Sequence, residues 1–293
     1  MDVGVIVTDT HGHFVGSLGR EDFHVFDNGS EQTITDFAAI DQPGQIVLLI
    51  EAGPAVYLLE SSHLKAAYSL LNGLSSNDSV ALIHYNNAPQ TVLDFTVDKR
   101  AVASALQLLQ FNLGFGSLNL SSSLSSVVDS LTHVPGKKTI VLLSTGIDTS
   151  PENESSLVLQ KLKTSGIRLL AVSLVGELRA SVSAGKKKSS MERPTPGQQE
   201  FAEADQWLRQ LAEATGGRAY FPTNTKELRV IYEQISQLVR HEYSLAFAPP
   251  SRDGFTHLIE VRVSLPPARA LKGSPVFRVD HRQAYLAPPS DKP

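Results

Sequence analysis

Five apolar residues, Ile46 to Ile50, lead straight into Glu51 and then into the turn Ala52-Gly53-Pro54-Ala55. A carboxylate at the end of a buried strand, just before a tight turn, sits where α/β proteins place their ligands. It has three uses open to it: holding a cation, moving a proton, or bonding the amides of neighbouring helix N-termini. Other residues invite chemistry at shorter range. His11 and His13 flank Gly12 with a spacing that suits two metal ligands. They fall in a turn, with no third ligand at a defined spacing, so a surface turn is the expectation. Ser125, Asp129 and His133 recur every four residues, which puts a hydroxyl, a carboxylate and an imidazole on one helix face. A polar outer face explains that pattern fully. Gly114-Phe115-Gly116 lacks the third glycine of a dinucleotide loop and does not follow a strand. The sequence contains no nucleophile elbow, no phosphate loop and no His-Glu-x-x-His pair. One carboxylate of interest remains, and no catalytic constellation.

The elements that must position Glu51 follow from periodicity. "QIVLLIE" over 45–51 is nearly all apolar, as a strand covered on both faces must be. Val56, Leu59, His63, Ala66, Leu70 and Leu74 then recur at helical spacing. "SVALIHYN" and "PQTVLDFTV" predict a hairpin across Asn86–Pro89. Helices are predicted around Val102–Leu109, Leu120–Leu131 and 155–165, with buried strands at 137–145 and 167–175. The segment 176–199 reads as a mobile solvated loop carrying Lys186-Lys187-Lys188. Beyond it come a helix from Phe201 to Leu211 that Gly216-Gly217 ends, a short strand "RAYFPT", and a helix from Leu228 to Leu238. Both chain ends read as β. Residues 3–41 hold "VGVIVTD", "FHVFDNG" and "EQTITDFAAI", with a hairpin signal at Asp27-Asn28-Gly29. From about 242 come "EYSLAFAP", the sharply alternating "THLIEVRVSLP" and "VFRVDHRQAYLAP".

Strands alternating with helices imply an α/β fold, doubly wound, with a mostly parallel central sheet and helices on both faces. Each β end is too small to bury its own apolar face, so the two are expected to pair in one small β subdomain. The expected organisation is an N-terminal β segment over 1–42, an α/β domain over 43–241 and a C-terminal β segment over 242–293.

Composition narrows the function further. The chain has 293 residues, a net charge of −4 and no basic stripe, which argues against a nucleic-acid partner. It has no cysteine, which excludes disulfides, thiolate metal sites and thiol nucleophiles. No apolar stretch approaches the ~20 residues of a membrane span, so membrane insertion is not expected. The N-terminus shows neither a basic region nor an apolar signal core.

Taken in order, these features resemble a von Willebrand factor type A domain, and the whole chain resembles the bacterial VWFA-related proteins known first from acidobacteria. The matching stretches are "VIVTDTHGHFVGSLGREDFHVFDNGSEQTITDF", "IVLLIEAGPAV", "KKTIVLLSTGIDTS", "LAEATGGRAYFP", "IYEQISQLVRHEYSLAFAPP" and "RQAYLAPP". The resemblance implies a site for a divalent ion at the carboxyl end of the sheet, built from Asp-x-Ser-x-Ser, a Thr on a later loop and an Asp after the fourth strand. Here Glu51 stands at the first Asp, Gly53 and Ala55 at the two Ser positions, Ser117 at the Thr, and Thr145 at the last Asp. Asp148, three residues on, is a substitute candidate. Two ligands are gone outright, and one carboxylate has become a hydroxyl. Mg²⁺ requires an octahedron of oxygens at about 2.1 Å, so a dead metal site is expected, with Glu51 capping or bonding helix N-termini. No cofactor is expected, although weak binding of Mg²⁺ or another divalent ion stays open. The less polar rim that results, with Tyr57, Phe111 and Phe115, suits contact with another protein.

The expected function is a non-enzymatic adhesion or scaffold module with a degenerate metal-ion-dependent adhesion site. One rival keeps the ion and makes a cation-dependent adhesion domain; another is an enzyme with an unrecognised hydrolytic site. The resemblance implies export to the periplasm or beyond; a chain with no signal peptide suits the cytoplasm equally.

Overall fold

At the Asp27–Ser30 turn, Asn28 and Gly29 both take positive φ (46° and 82°), as a two-residue hairpin of the Asn-Gly type requires. In this computed structural model, which describes residues 1–53, 67–109, 117–176, 196–265 and 276–289, that turn joins β2 (Phe23–Asp27) to β3 (Ser30–Gln32). Before them runs β1 (Asp2–Thr8), and after them β4 (Ile34–Asp41) and β5 (Gly44–Glu51). The stretch 31–40, which reads as one strand in sequence, is two. β3 pairs with β2 in one sheet, and β4 pairs in another, with only Thr33 between them. A strand that changes sheets is how a sandwich makes its corner.

β5 is the centre of a six-stranded sheet. Its neighbours are β6 (Ser79–Tyr85) on one side and β8 (Lys137–Ser144) on the other. Beyond β8 lie β9 (Arg168–Ser173) and β10 (Arg218–Tyr220); beyond β6 lies β7 (Pro89–Thr96). All neighbours run parallel except β7, which closes the expected hairpin with β6. Alternate residues of β5 supply two cores. Ile46, Leu48 and Ile50 join the core that holds helix α1 (67–73), α2 (Lys99–Gln107) and α6 (Thr225–Leu238). Val47 and Leu49 join α3 (Leu120–Leu131), α4 (Glu152–Ser165) and α5 (Pro196–Ala214) on the other face. This is the doubly wound sheet the alternating elements imply. The chain leaves β5 for one side of the sheet and returns through β8 to the other, so a crevice opens between their carboxyl ends.

The chain ends meet as two four-stranded sheets packed face to face. One has the order β13 (Arg278–His281), β1, β11 (His241–Phe247), β4; the other β14 (Ala284–Leu286), β12 (Thr256–Val263), β2, β3. β1 lies antiparallel between β11 and β13, so N- and C-terminal strands alternate in the first sheet; in the second, β12 pairs with β2 to join a C-terminal pair to an N-terminal pair. Val3, Val5, Val7, Tyr243 and Leu245 of one sheet face Val25, Ile259, Val261 and Tyr285 of the other. Ile6 points the opposite way, into the α/β core. The C-terminal stretch 276–288 is another single reading that divides, with β13 going to one sheet and β14 to the other.

α5 begins at Pro196, earlier than the expected loop 176–199 allows. Proline's fixed φ suits the first turn of a helix, so it opens this one instead of preceding it. The rest of that loop, with its lysines, lies outside the described residues, as do Ala55, Tyr57, Phe111, Phe115 and the predicted helix over 56–66.

Candidate functional site

Glu51 ends β5 with its side chain completely enclosed. One oxygen, Oε2, accepts from the Thr145 amide at 2.7 Å, the Thr145 hydroxyl at 2.8 Å and the Ser144 hydroxyl at 3.1 Å. The Tyr85 hydroxyl lies 3.4 Å from Oε2 and 2.7 Å from Ser144 Oγ, which in turn accepts from the Gly146 amide at 2.9 Å. The parallel register accounts for this convergence. Glu51 pairs with Tyr85 on β6, and β8 brings Ser144 and Thr145 alongside on the other flank. Oε1 is buried, with no hydrogen-bond partner among the described residues. Burial raises the carboxyl's pKa, and the bonds from Thr145, Ser144 and Tyr85 only partly oppose that. The Tyr85 hydroxyl is pushed well above its usual value, first by burial and then by the Glu51 charge.

Expected neighbours of Glu51 divide into those brought to it and those left away. Thr145 is bonded to it directly. Ser117 is exposed, and among the described residues no hydrogen bond joins it to Glu51 or Thr145. Its neighbour Leu118 is tied to the loop after β8, where the Leu118 amide donates to Thr149 Oγ1 at 2.9 Å and the Thr149 amide to Leu118 O at 2.8 Å. Gly53 sits beneath that leucine. A Cβ built on Gly53 would lie 3.0 Å from Leu118 Cδ2 and 3.2 Å from Glu51 Oε1. Leu118 thus occupies the ground where a serine side chain at position 53 would stand.

At α3 the helix N-terminus is capped by Asp148. Asp148 Oδ2 accepts from the Ser121 amide at 3.1 Å and from the Ser121 hydroxyl, while Oδ1 accepts from the Ser150 amide at 2.9 Å. Ser121 lies in the first turn of α3, whose own Asn119 makes no side-chain cap. A carboxylate there satisfies free amides and suits the positive end of the helix. The described partners of Glu51 lie at the ends of β6 and β8, and the segment that follows it, 54–66, lies outside the described residues.

At Asp148, a cleft of about 310 Å³ runs along the loop after β8, lined also by Gly146, Ile147, Glu200, Glu203 and Trp207. Trp207 Nε1 is buried, without a partner among the described residues. Gly146 (φ 78°) permits the close approach of α5: a Cβ there would lie 2.5 Å from Ala204 O.

The remaining candidates take structural roles. Asp9 Oδ1 accepts from the His11 and His13 amides at 2.8 and 2.9 Å, which builds the turn and leaves both rings exposed. Asp9 is the carboxylate missing from the sequence reading, and it works on the backbone. Ser125 and Asp129 meet Lys161 Nζ of α4 at 2.7 and 2.8 Å, so that face of α3 clamps a neighbouring helix; His133 is exposed. Among the described residues no group of three or more His, Cys, Asp or Glu is placed to hold a metal ion.

One arrangement was invisible in sequence. His257 Nδ1 lies 2.7 Å from Asp27 Oδ1, and its Nε2 lies 3.2 Å from Ser251 Oγ, an order that resembles a Ser-His-Asp triad. Asp253 breaks the resemblance. Its Oδ2 sits 3.1 Å from Nε2 and takes the Ser251 hydroxyl at 2.8 Å. Asp253 and then Asp27 raise the pKa of His257, which favours an imidazolium with no free lone pair to accept a proton.

With this geometry in view, comparison with known proteins is informative about family and fold. Comparison with curated proteins gives no match. Among solved structures, a von Willebrand factor type A protein from Catenulispora acidiphila is similar over 99% of this chain and 74% of its own, at 9% identity and a TM-score of 0.51. An aerotolerance-related membrane protein from Bacteroides fragilis NCTC 9343 is similar over 67% of this chain and 100% of its own, at 15% identity and a TM-score of 0.46. The PilB minor pilin from Streptococcus sanguinis is similar over 68% and 62%, at 13% identity and a TM-score of 0.48. The sequence pattern of the von Willebrand factor type A domain matches residues 61–234, more than half of the chain, and the chain belongs to that family.

Proposed function

We propose that this chain is a non-enzymatic protein-interaction module, of adhesion or scaffold type, whose metal-ion-dependent adhesion site is degenerate. Domains of this family mediate protein interactions. The observation that carries the reading is the enclosure of Glu51, whose Oε2 is already surrounded by donors from Thr145 and Ser144. A divalent ion needs ionised carboxylate oxygens free to turn toward it. Here a raised pKa favours the neutral acid, Gly53 offers no oxygen, and Leu118 lies over Gly53. The residues present do not fit the ion, and recognition falls to the rim. The cleft beside Trp207 is the best-supported contact point. Its acidic lining of Asp148, Glu200 and Glu203 suits a cationic side chain of the partner.

Thermal unfolding in EDTA and in millimolar Mg²⁺ or Mn²⁺ tests the loss of the ion. Free ion at a hundredfold excess over its dissociation constant would add about 2.7 kcal/mol, a rise of about 5 °C or more for a chain of this size. The expected result is no rise; a clear one would favour the cation-dependent adhesion reading. A partner captured on the immobilised protein should be retained in EDTA and lost from a Glu200→Lys/Glu203→Lys variant.

A further inference from the structure

At the opposite end of the parallel sheet, where the β sandwich meets the α/β core, lies a second cavity of about 180 Å³. Lys137 and Lys138 open β8 into it, Arg168 opens β9, and Lys163 comes from the last turn of α4. Arg282 follows β13, and Glu242 projects from β11. Counting Asp2 of β1, five cationic side chains meet two carboxylates. We propose that this cavity binds a small oxyanion of the phosphate or phosphomonoester class.

Two of the cations, Lys137 and Arg168, are enclosed and share one carboxylate, while Lys138 Nζ already donates to Val134 O at 3.0 Å and Arg282 Nη2 to Asp2 O. The Lys137 side chain is 10% exposed and that of Arg168 8%. Glu242 Oε2 serves both, 3.4 Å from Lys137 Nζ and 3.2 Å from Arg168 Nη2. Among the described residues, Lys137 Nζ has no hydrogen-bond partner, nor have Arg168 Nε and Nη1 or Arg282 Nε. Arg168 Nη2 also donates to Gly4 O at 3.2 Å, which fixes the guanidinium across the seam. A buried cation without full pairing is costly, and two sharing one carboxylate leave charge unbalanced. Burial lowers the pKa of Lys137 to about 8, against the pull of Glu242. A bound dianion would remove that penalty.

Size and chemistry select the class. Where a single water takes roughly 10–15 Å³ of such volume, the cavity has room for a phosphate group with several waters. Lys137 and Arg168, whose charge one carboxylate leaves unbalanced, with Lys163 and Arg282 also lining the cavity, suit a doubly charged tetrahedral group better than a single carboxylate. The described lining has no aromatic side chain on which a base could stack, so a nucleotide is not the expected form.

Isothermal titration and thermal unfolding of the full chain, in zwitterionic buffer at matched ionic strength, decide the matter. Inorganic phosphate and glycerol 3-phosphate are the probes, with chloride as the control. The expected result is one phosphate per chain and a rise in melting temperature that chloride does not give. Binding of glycerol 3-phosphate as well identifies a phosphomonoester site; binding of phosphate alone identifies a free-oxyanion site. Glu242→Gln releases both cations to the ligand and should tighten binding roughly tenfold, whereas Lys137→Gln should weaken it by a similar factor. If Lys137→Gln fails to fold, Lys163→Gln takes its place. An internal ion-pair network alone would lose stability in Glu242→Gln and gain no affinity. Absence of phosphate binding in the native chain, or affinity unmoved by Glu242→Gln and by the lysine variant, would overturn the proposal.

Discussion

Glu51 is a carboxyl placed where the fold favours its neutral form, and that gives stability a sign with pH. Its folded pKa is raised above the ordinary 4.5 by burial. The folded chain therefore holds this proton more tightly than the unfolded chain does. Its contribution is fully present below about pH 4.5 and is lost as pH rises through the folded value. Glu51→Gln keeps an acceptor for Thr145 without a charge to desolvate. Urea unfolding from pH 4.5 to 8 should therefore show a flatter profile for Glu51→Gln than for the native chain. Equal slopes would mean that Glu51 stays ionised in the fold. Glu51→Ala strands the buried Thr145 amide and should cost about 1–3 kcal/mol. The position of Glu51 was legible from the apolar run that ends there, and its meeting with Thr145 from the resemblance, which sets both at ligand positions of one site. Tyr85, Ser144 and Leu118 were not. Their places depend on strand register and on a loop crossing, neither of which leaves a local mark.

At the scale of elements, α3 begins with a borrowed cap. Asp148 reaches its first turn from the loop after β8, so Asp148→Ala should cost about 1 kcal/mol, while Asp148→Asn, which keeps an acceptor, should cost less. Denaturant midpoints of the two variants check this; equal losses would show that charge, not the bond, matters. A harder constraint sits after α5. Gly216 has φ of 69°, and a Cβ there would come within 2.2 Å of His281 C. Gly216→Ala should therefore cost well beyond the ~1 kcal/mol of an ordinary substitution, read as a fall in melting temperature; a shift within error would show that the His281 strand gives way. The sequence marked Gly216-Gly217 as a helix stop, yet the close passage of a strand some sixty residues later was hidden. The splitting of 31–40 was hidden for a related reason. Its side chains alternate without interruption, and nothing local announces that the second half pairs in a different sheet.

The whole molecule is closed by its two ends, and one joint between them titrates. His257 of β12 is bonded to Asp27 of β2, and its pKa is raised from 6.5, first by Asp253 and then by Asp27. That contribution is present below about pH 6.5 and is lost as pH rises through the folded value. Melting temperatures between pH 6.5 and 8 should fall in the native chain and fall less in His257→Gln; parallel curves would remove His257 from the account. The larger prediction concerns the proposed division into a unit over 43–241 and two terminal segments that complete each other. Residues 1–42 contribute Val3, Val5, Val7, Leu18, Phe23, Val25 and Ile34 to the sandwich core. At ~1.5–3 kcal/mol for each buried side chain, those seven are worth on the order of 10–20 kcal/mol. That equals or exceeds the roughly 5–15 kcal/mol by which folded proteins are usually stable. Without residues 1–42, β11 loses both β1 and β4, and β12 loses β2. A chain beginning at Pro43 should therefore aggregate or expose the 242–289 strands to protease. Residues 43–241 alone keep their six-stranded sheet and lose the covering at its amino-terminal edge, where Lys137, Arg168 and Arg218 can take up water, together with the contacts of Ile6, Phe14 and His281. They should unfold cooperatively, at a lower temperature than the full chain. Circular dichroism melts with size-exclusion chromatography distinguish the cases. A monomeric, protease-resistant chain lacking residues 1–42 would show that the C-terminal strands stand without their N-terminal partners, and the proposed division would fail.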